Sequence, residues 1–270
     1  MRTIALIGDP VAQSPSPAMH RAAFMATGVE LDYVAERVTL EELPGAFDRL
    51  REQHIGLNVT IPLKEAVVPL LDEVHDDAAQ TGSVNTVVFA EGLAVGESTD
   101  GAGFMAALAR TGAPSPSRAM ILGAGGAARA VGAALLGAGA NVTIAARDPE
   151  RAAAVAHDLE ASGIPLEAQA LAPVLAAADL LVNATPLGQR SPLPVGVELH
   201  PGLTVFDLVY RPRVTRLLAA ARVVGCRTVE GVEMLVEQGA RSFEIWTGVR
   251  APTEAMRDAA LNALEDRAGV

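Results

Sequence analysis

Short apolar runs alternate with segments of helical spacing in the N-terminal part of the chain, which predicts an α/β layer with a mostly parallel sheet. Apolar runs bounded by turn residues predict strands at Thr3–Ile7, Tyr33–Val38, Leu57–Val59, Val84–Phe89 and Leu93–Val95. The last two strands flank Ala90-Glu91-Gly92, so we expect a hairpin there. Thr39 and Glu42 have the spacing of a capping box and predict a helix start, and Glu65–Val74 is also expected to be helical.

The alternation restarts after residues 111–117, a stretch rich in Gly, Pro and Ser that marks a boundary region. Beyond it, strands are predicted at Ala119–Leu122, Asn141–Ala145, Leu166–Ala170, Leu180–Asn183 and Val205–Leu208. Helices are predicted at Gly126–Leu136 and Pro149–Ser162, and the tail Glu233–Val270 is expected to be helical except near Pro252. This arrangement predicts a second, open α/β domain of the doubly wound kind.

Composition and charge narrow the class of protein. Half of the residues are apolar and 20% are charged, a balance typical of a folded globular chain. The net charge of −11 argues against nucleic acid and against an anionic membrane surface as partners. The N-terminus lacks the pattern of a secretory signal, so we expect a cytoplasmic protein. Cys226 is the single cysteine, which excludes an intramolecular disulfide, and the five histidines lack the spacing of metal ligands.

Lys64 is the only lysine among the 21 basic residues, and the others are all arginine. Arginine replaces lysine wherever a basic side chain needs only to be charged and solvated. It does not replace lysine where the side chain must release and regain a proton, because guanidinium stays protonated. Lys64 is therefore either a leftover surface residue or a group at which a proton moves.

A glycine-rich turn follows the predicted strand Ala119–Leu122 and opens the next helix. In this position glycines permit a tight turn, and backbone N–H groups at the helix start can bind a pyrophosphate. The candidate cofactor-binding residues of the turn are Gly123, Ala124, Gly125, Gly126 and Ala127. The alternative is close helix–sheet packing without a ligand.

The end of the next strand indicates which nicotinamide cofactor binds. An acidic residue there would hold a ribose 2′-hydroxyl, whereas arginine favours a 2′-phosphate. Ala146 supplies no acid, and Arg147 and Arg151 lie four residues apart, so we expect NADP rather than NAD. Asp148 leaves two possibilities open, because it could repel that phosphate or cap the following helix.

Seven short segments occur in the order found in the shikimate dehydrogenase family, which the chain resembles over essentially its whole length. They are Ser14–His20, Asn58–Lys64, Ser83–Thr86, Thr99–Gly101, Gly123–Arg129, Asn183–Thr185 and Gly231–Gln238. The resemblance implies a two-domain α/β protein: an N-terminal substrate-binding catalytic domain and a Rossmann-like NADP-binding domain, with the C-terminal helices returning to the first. The implied boundaries are residues 1–100 with 233–270 for the catalytic domain, and 101–232 for the cofactor domain.

The resemblance also implies an activity, the reversible reduction of 3-dehydroshikimate to shikimate by NADPH. It gives substrate-binding roles to Ser14, Ser16, Thr60, Asn85, Tyr210 and Gln238. On the cofactor side it adds Thr185, Leu208, Gly231 and Met234. Two hydroxyls on the Pro-stiffened turn at Ser14 and Ser16 also suit a carboxylate on chemical grounds. The expected assembly is a monomer or a homodimer.

Lys64 and Asp100 match the catalytic pair of that family. Reduction of a ketone places negative charge on its oxygen, so a proton donor must lie beside that oxygen. An ammonium can donate the proton, an amine can accept it in the reverse direction, and a neighbouring carboxylate favours the charged lysine.

Three alternatives remain open. A quinate/shikimate dehydrogenase that uses NAD would share the same chemistry. A non-catalytic metabolite-binding relative would keep the fold but is expected to lack Lys64 or Asp100, and both are present. A folate dehydrogenase of similar layout would not explain the Ser14–Pro17 turn.

Overall fold

The computed structural model describes residues 2–265, which fold into two compact units. The first contains the described residues up to Gly103 together with those from Val236 onward, and the second contains Phe104–Leu235. The chain leaves the first unit within helix α4 (Asp100–Ala109) and returns to it within helix α9 (Gly231–Thr247).

A mixed six-stranded sheet forms the centre of the first unit. Its strands are β1 (Arg2–Gly8), β2 (Leu31–Arg37), β3 (Gly56–Val59), β4 (Glu73–Val74), β5 (Thr86–Ala90) and β6 (Leu93–Glu97). They lie in the order β2-β1-β3-β5-β6-β4, with β1 parallel to both β2 and β3. The predicted hairpin is present as the antiparallel pair β5 and β6. The parallel pairs bring the carboxyl ends of β1 and β3 to one edge of the sheet.

The helices of the first unit cover this sheet. They are α1 (Ser16–Thr27), α2 (Leu43–Gln53), α3 (Asp76–Thr81) and α10 (Thr253–Glu265), together with parts of α4 and α9. The capping box forms as predicted: Thr39 N donates to Glu42 at 2.9 Å and Glu42 N donates to Thr39 at 3.2 Å. Helix α10 packs on α1. The predicted helicity of residues 266–270 lies outside the described part of the chain.

The helix predicted over Glu65–Val74 is wrong. This segment forms turns, a short 3-10 helix at Val68–Leu70 and the strand β4. Pro69 lies in the middle of the segment, where it removes a backbone donor and clashes with the preceding turn of an α-helix. Only the 3-10 helix is formed, with the proline in its first turn.

The second unit contains a fully parallel six-stranded sheet. Its strands are β7 (Arg118–Leu122), β8 (Asn141–Ala146), β9 (Ser162–Pro165), β10 (Leu180–Asn183), β11 (Thr204–Asp207) and β12 (Arg227–Val229). Their order is β12-β11-β10-β7-β8-β9, which is the 3-2-1-4-5-6 order of the doubly wound dinucleotide-binding fold. The strand order reverses between β7 and β10, where this fold forms a ligand crevice at the carboxyl ends of the strands.

Helices alternate with these strands, and an apolar cluster that includes Ile121, Val131 and Ile144 fills the space between them. They are α5 (Gly126–Gly137), α6 (Pro149–Asp158), α7 (Ala168–Ala177) and α8 (Arg216–Val224). Among the described residues no helix is both long and apolar enough to cross a membrane.

The strand predicted at Leu166–Ala170 is also misplaced. The strand β9 ends at Pro165, and Ala168 already begins helix α7, whose Leu171 and Leu175 are buried. Helix α6 ends early, and Glu160 follows it in the left-handed region with a φ of 57°. An added Cβ at Gly163 would lie 2.9 Å from a backbone oxygen of α6, so glycine permits this close passage of β9.

Candidate active site and cofactor site

Lys64 stands at the end of a tightly bonded turn that follows β3. Thr60 N donates to Ile7 O at 2.9 Å, and Leu63 N donates to Thr60 O at 2.8 Å. The carbonyl of Lys64 accepts from Val84 N at 2.9 Å, and the Leu63 side chain is fully buried. The backbone of Lys64 is therefore fixed on both sides, and its side chain is only 16% exposed. This burial excludes the alternative that Lys64 is a leftover surface lysine.

Asp100 begins helix α4 and is 4% exposed. Its Oδ2 forms an ion pair with Lys64 Nζ, and its Oδ1 accepts from Asn85 Nδ2 at 2.9 Å. A carboxylate at a helix N-terminus is favoured by the backbone dipoles. The structure thus joins the only lysine of the chain to a buried carboxylate.

Asn85 holds this pair in place. Its Nδ2 lies 2.9 Å from Thr99 Oγ1 and 3.0 Å from Gln238 Oε1, and its Oδ1 accepts from Thr99 N at 2.8 Å. The residue is 2% exposed, so its amide is already surrounded by groups of the protein. Its predicted contact with a substrate hydroxyl stays a prediction.

Gln238 reaches this group because two helices of the first unit pass very close together. An added Cβ at Gly103 of α4 would lie 2.6 Å from the backbone N of Gln238 in α9. Only glycine permits that distance. The close passage brings the predicted residues Lys64, Asp100, Asn85 and Gln238 into one cluster.

The Ser14–Ser16 turn lies at the same edge of the sheet. The two hydroxyl oxygens are 3.1 Å apart, and Ser16 N donates to Ser14 Oγ at 3.2 Å. Asp9 N donates to Ile61 O at 2.9 Å, which joins the turn after β1 to the turn after β3 that carries Thr60. These three predicted hydroxyl residues therefore lie on two connected turns of the first unit. Tyr210, the remaining predicted substrate contact, belongs to the second unit.

A buried polar chain behind the Lys64–Asp100 pair was not predicted from the sequence. Tyr33 donates to Asn58 Oδ1 at 2.7 Å, and Asn58 Nδ2 donates to Asn85 O at 3.0 Å. Ser242 Oγ lies 2.7 Å from Thr86 Oγ1. The available signal was weak: single polar residues within otherwise apolar strands or helix faces. These buried hydrogen bonds hold Asn85 in position, and Asn85 in turn holds Asp100.

The aromatic rings around Tyr33 exclude water from one end of this series of hydrogen bonds. His20 stacks on Tyr33 with ring centroids 4.4 Å apart. Burial raises the pKa of the Tyr33 phenol well above its usual value. Burial also lowers the pKa of His20 to about 3, so both side chains are neutral at neutral pH.

In the second unit, the glycine turn joins β7 to α5, and its binding of a pyrophosphate stays a prediction. Gly123 has a φ of 111°, and its added Cβ would lie 3.1 Å from the carbonyl of Ala184. Gly125 caps α5 without any side-chain hydrogen bond, and an added Cβ there would meet no atom within 4 Å. The Cβ position of Gly125 therefore borders open space at the start of the helix, the end at which backbone N–H groups can bind an anion.

The residues after β8 resolve the question of Asp148. Its Oδ1 accepts from Glu150 N and from Arg151 N, both at 3.1 Å, so the carboxylate caps helix α6. Arg151 Nε donates to Ala124 O at 2.9 Å, which places this guanidinium at the glycine turn. Arg147 is exposed and forms no ion pair with any residue from 2 to 265. Binding of a 2′-phosphate by these two arginines stays a prediction.

The other predicted cofactor residues lie on loops at the carboxyl ends of β10 and β11 and at the start of α9. Thr185 donates to Asn183 Oδ1 at 2.6 Å, and Leu208 N donates to Asn183 O at 2.9 Å. An added Cβ at Gly231 would lie 2.5 Å from Leu208 O. Met234 is 7% exposed and packs in the apolar cluster of this unit. The described residues contain no group of His, Cys, Asp and Glu that could hold a metal ion.

Comparison with known proteins agrees with this arrangement. Three family models match: the shikimate dehydrogenase substrate binding domain over residues 6–87, shikimate / quinate 5-dehydrogenase over 106–191, and the shikimate 5'-dehydrogenase C-terminal domain over 231–261. The shikimate dehydrogenase (NADP+) of Methanosarcina acetivorans is 44% identical, and the alignment covers 98% of this chain and 99% of the relative. The same enzyme of Methanopyrus kandleri is 46% identical, over 97% of this chain and 95% of the relative.

A solved structure gives the same result. The chain is similar to shikimate 5-dehydrogenase from Thermus thermophilus, crystallised in complex with NADP(H) and shikimate. The TM-score is 0.91 at 42% identity, and the match covers 98% of this chain and 100% of that one. The match extends through both units, from the Ser14 turn to the C-terminal helices. This chain therefore belongs to the shikimate dehydrogenase family.

Proposed function

We propose that this protein catalyses the reversible reduction of 3-dehydroshikimate to shikimate with NADP as its cofactor. The observation that carries the proposal is the ion pair between the only lysine, Lys64, and the buried carboxylate of Asp100. This pair belongs to a chain whose full-length relatives are shikimate dehydrogenases (NADP+).

Lys64 is the proton donor of the reduction. When bound, NADPH would supply the hydride, and negative charge would develop on the ketone oxygen. Lys64 Nζ donates a proton to that oxygen, and in the oxidative direction the amine accepts the hydroxyl proton. Asp100 orients the ammonium, while Asn85 holds the other carboxylate oxygen. Burial of the pair strengthens these interactions because water is largely excluded.

The other polar groups of the first unit bind the substrate. Ser14 and Ser16 present two hydroxyls that can donate to the substrate carboxylate. Thr60, Asn85 and Gln238 contact the ring hydroxyls and the reacting oxygen. Tyr210, three residues after β11, is the remaining proposed substrate contact.

The second unit binds the cofactor. The N–H groups of Gly123–Ala127 hold the pyrophosphate, and Arg147 and Arg151 bind the 2′-phosphate. Thr185, Leu208, Gly231 and Met234 shape the remainder of the site. The functional domains are residues 1–100 with 233–270 for the substrate and 101–232 for the cofactor.

We also propose that the protein acts in the cytoplasm as a monomer or a homodimer. The reaction draws on small diffusible molecules, 3-dehydroshikimate and NADPH. The net charge of −11 disfavours nucleic acid and anionic membranes as partners.

Steady-state oxidation of shikimate and of quinate, each with NADP and with NAD, tests this function. We expect the highest kcat/KM for shikimate with NADP, and a value at least about tenfold lower for each of the other three combinations. Quinate carries an additional ring hydroxyl that needs its own space and partner. A kcat/KM for quinate with NAD equal to or above that for shikimate with NADP would contradict the proposal.

A further inference from the structure

The buried carboxylate of Asp207 ends strand β11 and has no cationic partner among residues 2–265. It is fully buried, and all its bonding groups are neutral: Oδ1 accepts from Asn183 Nδ2 at 2.8 Å and from Val209 N at 3.1 Å, and Oδ2 accepts from Thr215 Oγ1 at 2.6 Å. Burial raises the pKa of Asp207, and these hydrogen bonds oppose that rise. A buried carboxylate without a counter-charge is expensive. Packing alone would be served better by an apolar residue.

One branch of this cluster fixes the loop after β10. Asn183 lies opposite Asp207 in the sheet and is also fully buried. Its Nδ2 donates to Leu187 O at 3.2 Å as well as to Asp207. Its Oδ1 accepts from Thr185 N at 3.1 Å and from Thr185 Oγ1 at 2.6 Å. The orientation of the Asn183 amide, set by Asp207, therefore determines the conformation of residues 184–187.

The other branch fixes the loop after β11. Asp207 Oδ1 binds Val209 N, two residues ahead, and closes the turn that contains Leu208. Its Oδ2 binds Thr215, whose hydroxyl caps helix α8 by accepting from Leu218 N at 3.1 Å. One carboxylate thus fixes the start and the end of residues 208–215.

The position of both loops in the fold indicates which part of the cofactor they meet. The glycine turn and the arginines Arg147 and Arg151 follow β7 and β8, on one side of the point where the strand order reverses. The loops held by Asp207 follow β10 and β11, on the other side. A dinucleotide binds this fold across that point, with one nucleotide on each side. The side with the arginines suits the phosphorylated adenosine, so the side of Asp207 receives the nicotinamide.

We propose that Asp207 is a positioning residue that fixes, through Asn183 and Val209, the two loops that bind the nicotinamide half of the cofactor. This inference rests on the proposed function, because it assumes that NADP binds to the second unit. Asp207 preorganises the two loops. They are held in the binding conformation before the cofactor arrives, so binding does not include the free-energy cost of ordering them.

Calorimetric titration of the full-length protein with two ligands tests the proposal. The ligands are NADPH and 2′-phospho-ADP-ribose, which contains the adenosine half and the ribose but lacks nicotinamide. For Asp207→Ala we expect the Kd of NADPH to rise about tenfold while the Kd of 2′-phospho-ADP-ribose changes less than about twofold. Asp207→Asn retains an oxygen for Asn183 and Val209, so its Kd for NADPH is expected to stay within about threefold of the wild type.

Thr204→Val is the matched control, because Thr204 is buried at the opposite end of the same strand. Both of its Kd values are expected to be unchanged. If Asp207→Ala fails to fold, Asn183→Ala takes its place, since it breaks the link to residues 184–187, and the same split is expected. An equal rise in the Kd of both ligands in the Asp207→Ala protein would overturn the proposal. A lower free energy of unfolding with an unchanged Kd for NADPH would also overturn it. These titrations use no shikimate, so a protein that fails to oxidise shikimate would contradict the proposed function separately.

Discussion

Arg147 is the residue whose contribution to cofactor choice is most easily isolated. It is exposed at the end of β8, and within the described part of the chain no carboxylate pairs with it. Arg147→Ala removes a charge-assisted bond to the 2′-phosphate. We expect the KM for NADPH to rise about tenfold, while the KM for NADH stays within about twofold. Arg227→Ala, at the exposed start of edge strand β12, is the control. Equal loss for both cofactors would contradict the 2′-phosphate role.

The lowered pKa of His20 makes the free energy of unfolding depend on pH. Its pKa falls from 6.5 to about 3 on folding because the ring is buried. As the pH falls below 6.5, the unfolded chain binds the proton first, so His20 stabilises the fold above pH 6.5 and this stability is lost between pH 6.5 and about 3. The loss is about 1.4 kcal/mol for each pH unit in that window.

Urea unfolding of the wild type and of His20→Phe measures this effect. Between about pH 7.5 and about pH 5 the wild type is expected to lose about 2 kcal/mol more of its free energy of unfolding than the variant does. Phenylalanine keeps an aromatic ring against Tyr33 and removes the titrating group. The same pH dependence in both proteins would show that His20 is not the responsible group.

Residues proposed to react or to bind were easier to identify in the sequence than residues that support them. Lys64 is distinguished by composition, and the glycine turn by its position between a strand and a helix. Tyr33 and Asp207 look like ordinary strand residues in the sequence. Their importance comes from partners that lie far along the chain, such as Asn58 and Thr215 respectively, and no local pattern encodes those distances.

At the scale of elements, the cap of helix α6 gives a direct prediction. Asp148→Ala removes the acceptor of two backbone N–H groups and is expected to lower the free energy of unfolding by about 1 kcal/mol. Asp148→Ser removes the negative charge but keeps a capping oxygen, so its free energy of unfolding is expected to stay close to that of the wild type. Urea unfolding of the three proteins checks both values. A free energy of unfolding for Asp148→Ala equal to that of the wild type would contradict the capping role.

The two misassigned elements show where periodicity fails. The segment Glu65–Val74 has apolar residues at helical spacing, but Pro69 excludes an α-helix. The strand β9 contains Ser, Gly and Pro with Ile164 as its one large apolar residue, so it gives a weak signal, whereas the buried Leu171 that follows belongs to α7. Strand β9 forms because Gly163 can approach the backbone of α6, which is a tertiary contact.

At the scale of the whole molecule, the alternation of strands and helices predicted the parallel sheet of the second unit, whose strand order is that of the doubly wound fold. The return of the C-terminal helices to the first unit did not follow from local patterns. Helix α10 packs on α1, more than two hundred residues earlier in the chain. Only the family resemblance indicated that the C-terminal helices return to the first domain.

The proposed mechanism requires that Lys64 releases and regains a proton and is more than a fixed positive charge. Lys64→Arg keeps the charge beside Asp100 but replaces an amine that can release a proton by a guanidinium that cannot. Lys64→Ala removes both. For either variant we expect kcat of shikimate oxidation to fall by about 10²–10⁴, with the Kd of shikimate within about threefold of the wild type. Near-normal kcat in Lys64→Arg would contradict proton transfer by Lys64, because a fixed positive charge would then be sufficient for catalysis.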